Sequence, residues 1–272
     1  MSYNYEEVVW GSDTANLSFT SPMSFRLENI LSAAKSLPTK TPKILEIGCG
    51  GGQFIRATKQ NLPQADCVGC DISQTALDKA KSLNDGVRYD LCSDKLPYAD
   101  NTFDLVLVLD VLEHVDSPVD FTLEAKRVLK PGGLFFVSVP CEGDNTNFIY
   151  WLQKFGLLKD ITKQCAGHIN QWSVKKWVST INSLGLKTER LKFSEHVLGQ
   201  SLLVFTFIML RRQANKNPGK EVNNESFYIK AYASPLGWLF RVVRVIVNIL
   251  VNIETRLLQN VRSSNLHALF RK

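Results

Sequence analysis

What this 272-residue sequence lacks narrows its function first. No unbroken apolar run of about 18 residues occurs, so no segment reads as a bilayer span. The opening MSYNYEEVVWGSD has neither the basic start nor the apolar core of a secretion signal. No internal repeat is visible. The six cysteines are scattered, without the spacing of a disulfide or zinc framework. Cys67 and Cys70 form a C-x-x-C, but on a strand, where positions i and i+3 face opposite ways. These absences predict buried free thiols, no bound metal and a reducing, cytoplasmic setting. Acidic residues are scarce at one end only. Met1–Leu210 carry 21 basic and 23 acidic residues, whereas Arg211–Lys272 carry 11 and 3. A near-neutral body offers no basic stripe for phosphates, which argues against a nucleic-acid partner, and the basic tail has a separate job.

The body alternates regularly. KILEI (43–47), DCVGCD (66–71), GVRYDL (86–91), TFDLVLVLDVL (102–112) and LFFVSVP (134–140) read as strands. Helical segments fall between most of them, with Ser73 and Ser117 as N-caps and Pro118 in a first helical position. This predicts an α/β fold: a Rossmann-like, doubly wound, mostly parallel sheet. After 185 the order changes. LKTERLKFSEH and SLLVFTFIMLRR read as two long strands joined by VLGQ, an antiparallel pair closing the sheet. The expected organisation is a domain over 1–212 with an irregular insertion at 141–171, a linker at 213–226, and a basic amphipathic helical tail over 227–272.

ILEIGCGGGQF (44–54) stands where the first strand hands over to a helix. Glycines there imply positive φ or a close approach to bare backbone. A dinucleotide fingerprint needs G-x-G-x-x-G, but from Gly48 and Gly50 the third glycine is replaced by Gln53. The pattern is E-x-G-x-G-x-G, from Glu46 to Gly52. Backbone N–H groups at a helix N-terminus favour an anion, and an adjacent Glu46 favours an ammonium over a diphosphate.

ILEIGCGGGQF, then VGCDIS, then LPYADNTFDLVLVLDVLEHV, then VLKPGGLFFVSVP resemble four consecutive motifs of the class I S-adenosylmethionine-dependent methyltransferases. The likeness is greatest to the small-molecule branch that includes quinone-biosynthesis enzymes. It covers roughly 40–140 directly. The resemblance implies S-adenosyl-L-methionine as cofactor and a set of residues holding it. Glu46 and the loop Gly48, Cys49, Gly50 and Gly52 would take the methionine end. Asp71 would accept both ribose hydroxyls, Ile72 would lie against the adenine, and Asp90 and Leu91 would flank the adenine edge. Leu109 and Asp110 would approach the sulfonium. Two rivals remain: a non-catalytic module on the same fold, and a nicotinamide-dependent oxidoreductase, which the missing glycine opposes.

Methyl transfer to oxygen or carbon usually also needs a proton removed, a task suited to histidine. His114 lies just past the fourth strand, at the edge where open α/β sheets bind ligands, and His168 lies in the insertion that covers the acceptor in related enzymes. Both are candidate bases. His196 and His267 read as structural. Phe148, Tyr150, Trp151, Phe155 and Trp172 suit either an apolar acceptor pocket or the core. The exit LDVLEHV lacks the Asn/Asp-Pro-Pro-aromatic pattern of enzymes acting on base or amide nitrogen, so a small or lipid-linked acceptor is expected. In the tail, Arg241, Arg244, Asn248, Asn252, Thr255, Gln259 and Arg262 form one helical stripe amid apolar residues. The segment 235–262 thus suits peripheral contact with a membrane, self-association, or packing on its own domain.

Overall fold

The computed structural model describes residues 15–216 and 237–272. Helix α1 (Ser24–Lys35) precedes a regular alternation: β1 (Lys43–Ile47), α2 (Gln53–Asn61), β2 (Asp66–Asp71), α3 (Gln74–Lys81), β3 (Arg88–Leu91), β4 (Phe103–Leu109), α4 (Pro118–Val128) and β5 (Leu129–Pro140). The expected caps are in place. Ser73 Oγ accepts from Ala76 N, and Ser117 Oγ accepts from Asp120 N ahead of Pro118 at the helix start. Asp104 bolts the lower ends of three strands together, accepting from Lys43 N at 2.8 Å and from Lys130 Nζ at 2.7 Å.

The five strands run parallel, and the whole sheet is ordered β3-β2-β1-β4-β5-β7-β6, with β6 (Lys187–Ser194) and β7 (Asn265–Arg271) at the far side. Strand order reverses between β1 and β4, so a ligand crevice opens at their carboxyl ends. Both faces are covered. Ile44, Leu105, Leu107 and Phe136 pack on one side with α1 and α2; Leu45, Val106, Phe135 and Trp177 pack on the other. Cys67 and Cys70 fall into these two different cores as free, buried thiols.

The insertion contains α5 (Phe148–Lys154) and α6 (Ile161–Ala166), followed by α7 (Val174–Ser183). Beyond β6 the structure corrects the expectation. The antiparallel pairing is present, but SLLVFTFIMLRR is not its second strand: it lies in α8 (Val197–Lys216). The strand that pairs is β7, from what was expected to be a helical tail, inserted between β5 and β6 and antiparallel to both. Periodicity does not separate a mainly apolar helix from a buried strand. Leu266, Ala268 and Phe270 face one core and Leu269 the other, a strand buried on both sides. The end of the segment expected as a separate tail is therefore part of the sheet. The linker expected over 213–226 starts inside α8, and its remainder lies outside the described residues.

The expected tail helix is present as α9 (Gly237–Leu258). Asn252 anchors it. Its Nδ2 donates to the carbonyls of Phe19 and Ser21, each at 2.9 Å, and its Oδ1 accepts from Ser24 Oγ and Arg256 Nη1. Replacing Asn252 with leucine keeps the volume but strands these buried partners. Asn252→Leu is expected to cost about 2–4 kcal/mol, read as a shift in the urea midpoint. A loss under about 1 kcal/mol would show that α9 is held by something else.

Candidate active site at the carboxyl edge

The glycine turn after β1 answers both needs that the sequence raised. Gly48, Gly50 and Gly52 have φ of +72°, +52° and +82°, the left-handed region. Space is also missing. A Cβ on Gly48 would stand 2.5 Å from Val111 Cγ2, and one on Gly52 would overlap the Tyr89 hydroxyl. The loop is braced from below by buried Arg56, which donates to the Gly51 carbonyl and, through Nε, to Asp85 at 2.8 Å. The Tyr89 hydroxyl donates to the same Asp85 oxygen at 2.7 Å. This Arg56–Asp85–Tyr89 brace was not foreseen; its members are separated by 29 and 4 residues in sequence.

Around the loop lie the other expected residues. Glu46 is 3% exposed, and its Oε2 is buried without a hydrogen-bond partner. Burial pushes its carboxyl up to about 8, outweighing the attraction of Arg26. Burial likewise pushes the Cys49 thiol up, so it is an inert wall. Asp71, at the end of β2, accepts from Gly50 N at 2.7 Å and Ser73 N at 2.9 Å, which leaves carboxylate lone pairs for two hydroxyls. Ile72 is 56% exposed beside it, a large apolar side chain held open to solvent. Leu91 is also exposed, paired in register with Asp71. Asp90 behaves differently: Arg88 Nε and the Tyr98 hydroxyl each donate to its Oδ2 at 3.0 Å. Cys92, which the sequence reading passed over, donates its N–H to the Asp71 carbonyl at 2.9 Å and so stands nearer the crevice rim.

The exit of β4 collects charge. Leu109 is buried, and Asp110 sits at φ +53°, an unusual conformation for a residue other than glycine. Arg26 of α1 clamps it with two bonds, Nη1–Oδ2 at 2.5 Å and Nη2–Oδ1 at 3.0 Å. The insertion folds over this exit. Ile169 N and Asn170 N donate to the Glu113 carbonyl, while Asn170 Nδ2 donates to the carbonyls of Leu112 and Val115. The two expected histidines thereby meet. The rings of His114 and His168 lie 4.9 Å apart, edge to face.

Their environments differ. His168 Nδ1 pairs with Glu142 Oε1 at 2.5 Å, and Glu142 Oε2 accepts from Thr162. Burial pulls the His168 pKa down, but Glu142, Glu113 and Asp110 together raise it above the usual value. His114 is lowered to about 4, by burial first and then by His168. Glu113 is buried with an unpartnered Oε2, and burial beside Asp110 raises it to about 8. At neutral pH His114 is therefore neutral and Glu113 largely protonated. Ligating atoms of Glu113, His114 and His168 lie within 4.8 Å of one another, a spacing that serves proton exchange and that a metal ion could also use. The sequence reading expected no metal and did not bring these three together.

Beside the Arg26–Asp110 clamp is a cavity of about 330 Å³, bounded by Met23 just ahead of α1, Arg26 of α1, Glu195 after β6, Leu203 of α8, Asn252 of α9 and His267 of β7; Glu113, His114 and His168 do not line it. None of the five aromatic residues weighed for an acceptor pocket lines it. Trp172 packs on Trp177, and Trp151 and Phe155 stack on each other at the surface. His267, expected to be a bystander in the tail, borders the cavity, with Nε2 bonded to Ser194 Oγ at 2.8 Å.

Residues 45–137 match the family described as "Methyltransferase domain". This region holds the glycine loop, Asp71 and the β4 exit. The chain carries a class I S-adenosylmethionine-dependent methyltransferase domain. It is 35% identical over 94 residues to a ubiquinone/menaquinone biosynthesis C-methyltransferase of Desulfotalea psychrophila, covering 34% of this chain and 38% of that protein. It is 36% identical over 102 residues to a ubiquinone biosynthesis O-methyltransferase of Roseobacter denitrificans, covering 36% and 40%. The chain thus matches about two fifths of the length of these curated relatives. An S-adenosylmethionine dependent methyltransferase from Mesorhizobium loti superposes with a TM-score of 0.54, covering 93% of this chain and 98% of that one at 16% identity. That last likeness speaks for the fold alone.

The methyltransferase domain fits its cofactor on its own geometry. A cradle that a Cβ would fill and an orphaned buried carboxylate at Glu46 suit an amino-acid moiety whose ammonium supplies the missing donor. Gly52→Ala places a Cβ against Tyr89 at a left-handed φ. It is expected to weaken S-adenosylmethionine binding at least tenfold and lower stability by about 1–3 kcal/mol. Calorimetric titration and a denaturant curve on the same variant check both.

Proposed function

We propose that the chain transfers a methyl group from S-adenosylmethionine to a small or lipid-linked acceptor, at oxygen. The carrying observation is the convergence at one sheet edge of three things: the glycine cradle with orphaned Glu46, the Arg26–Asp110 clamp, and the His168–Glu142 pair. When bound, S-adenosylmethionine supplies an electrophilic methyl group on a sulfonium. Glu46 and the loop from Gly48 through Cys49 and Gly50 to Gly52 hold the amino-acid end, Asp71 the ribose, and Ile72 and Leu91 the adenine. Leu109 and Asp110 form the wall beneath the reacting centre. The acceptor enters through the cavity between α1, α8 and α9, which Arg26 borders, and its reacting end reaches past the Arg26–Asp110 clamp to His168. His168 takes the acceptor's proton. Glu142 holds the ring by Nδ1, stabilises the imidazolium that results and makes His168 the stronger base of the two histidines. Neutral His114 packs edge-on to it and limits its motion. The two curated relatives differ in the atom they methylate, carbon in one and oxygen in the other. A positioned proton acceptor serves transfer to either atom, and oxygen is the reading carried here from the sequence.

Binding is tested first. Calorimetry should show S-adenosylmethionine binding and no NADH binding, with Asp71→Ala about 10- to 100-fold weaker for the former. No binding by folded protein would end the reading; binding without turnover across an acceptor screen would favour a non-catalytic module. The base is tested by pH. Because His168 must lose its proton to act, kcat/KM should rise with pH through a midpoint above 6.5, the ordinary histidine value. Glu142→Gln removes the carboxylate that raises this pKa, so the midpoint should move down. A profile unchanged by Glu142→Gln would remove His168 from the mechanism.

A further inference from the structure

Helix α9 turns its polar stripe inward. Its buried side chains are Asn248, Asn252 and Thr255. Asn248 donates to the Thr20 carbonyl, Asn252 is bonded as described above, and Arg256 pairs with Glu28. The apolar side chains take the other side: Trp238 is 66% exposed, Phe240 50%, Ile246 52%, Leu250 48%, Ile253 43% and Leu257 78%. No described residue covers them. A water-facing amphipathic helix shows the reverse arrangement. Helix α8 packs against α9 and extends the apolar surface with exposed Val197, Leu198 and Phe205. A surface of this kind marks a contact with something apolar.

Charge and aromatic placement identify the contact. Exposed Arg211 and Arg212 lie on α8, and exposed Arg241 lies near the start of α9. Exposed Lys154, Lys159 and Lys163 lie on or beside α5 and α6, both packed on α8. The only exposed acidic residue described on these elements is Asp160. Trp238 and Phe240 stand at one end of α9, and the Trp151–Phe155 stack stands exposed on the neighbouring insertion. Apolar side chains flanked by basic residues and aromatic rings fit an anionic lipid surface. No described helix is long and apolar enough to cross a membrane, so the pair lies along the interface.

We propose that α8 and α9 seat the protein on an anionic lipid surface, with the cavity between them receiving an acceptor dissolved in that lipid. The second half rests on the reading of that cavity as the acceptor pocket; the first half stands without it. Leu202, Leu203 and Thr206 of α8, and Val251, Asn252 and Thr255 of α9, form its wall, so the helices that meet lipid on one side meet the cavity on the other.

The test uses the full chain and sedimentation with phosphatidylcholine vesicles, with or without about 30 mol% phosphatidylglycerol. Binding is expected to the anionic vesicles, roughly tenfold weaker to the neutral ones, and weakened by salt. The triple change Trp238→Gln, Phe240→Gln, Leu257→Gln touches only exposed side chains and should reduce binding at least roughly tenfold. Circular dichroism and S-adenosylmethionine titration on the same variant show whether it is folded. Folded parent protein that stays in the supernatant with both vesicles overturns the proposal. So does a triple variant that pellets like the parent. A dimer in gel filtration that the triple change dissociates, with no vesicle binding, assigns the face to a second copy and overturns it too. Cofactor titration separates this failure from failure of the methyltransferase reading: vesicle binding without S-adenosylmethionine binding refutes only the latter.

Discussion

The insertion of β7 between β5 and β6 is the constraint on which the outer half of the molecule depends. A strand in that position forms backbone hydrogen bonds on both sides and buries Leu266, Ala268 and Phe270 in one core and Leu269 in the other. Unzipping it would expose two ladders at once, so the chain must return there whatever precedes it. The return path places α9 across α1, near the carboxyl edge. It also brings Arg262 to buried Asp144 in the insertion, and Val261 to His196 after β6. The cavity beside the Arg26–Asp110 clamp exists because α8 leaves β6 and α9 comes back to β7 on the same side. A sheet closed by a simple hairpin over 187–212 would have left this edge open.

The inner half is governed by crowded charge. Glu46, Asp71, Asp110, Glu113, Glu142 and Glu195 gather at one sheet edge against Arg26 and two histidines. In a dry site they cannot all ionise, and burial decides which yield. Glu46 and Glu113 move up to about 8, His114 down to about 4, and His168 is held above the usual histidine value by its carboxylate partner. The result is one clear acid–base pair amid neutral neighbours. A cationic ligand would lower the raised Glu46 value again, so a bound ammonium and an ionised Glu46 favour each other.

The residues legible in the sequence were those whose signals are local. The glycine loop, Asp71 at a strand end, Ser73 and Ser117 as caps and the parallel order of five strands depend on neighbours within a few positions. Arg26 was invisible because its partner Asp110 lies 84 residues away, and nothing in SFRLENIL marks one arginine as special. Glu142 was missed for the same reason, 26 residues before His168 in a stretch without periodicity. Asp90 was assigned from its motif, and in the structure Arg88 and Tyr98 both donate to its Oδ2. The segment over 201–212 misled for a different cause. Its middle, Val204, Phe205, Thr206, Phe207 and Ile208, is an unbroken run of residues that strands favour, and tertiary contacts with Ile149 and Ile161 outweigh that preference. The true strand, NLHALFR, is short and buried on both faces, so it shows no alternation.

The orientation of α9 follows from comparing its two faces. Turning the helix over would bury several large apolar side chains, each worth about 1.5–3 kcal/mol out of water. It would also strand the carbonyls of Phe19, Thr20 and Ser21, the Ser24 hydroxyl and Glu28, and force Arg256 outward. Hydrogen bonds that are buried and cannot be replaced cost about 1–3 kcal/mol apiece, which offsets part of that gain. What tips the balance on the structural side is β7, which fixes where the helix ends, with Gln259, Val261 and Arg262 already bonded. The offset grows when the outward face meets something apolar. The polar stripe then keeps its partners and the apolar face gains its own. An inward-turned polar face thus carries information that composition alone does not: it shows which side of an amphipathic helix the protein has already used.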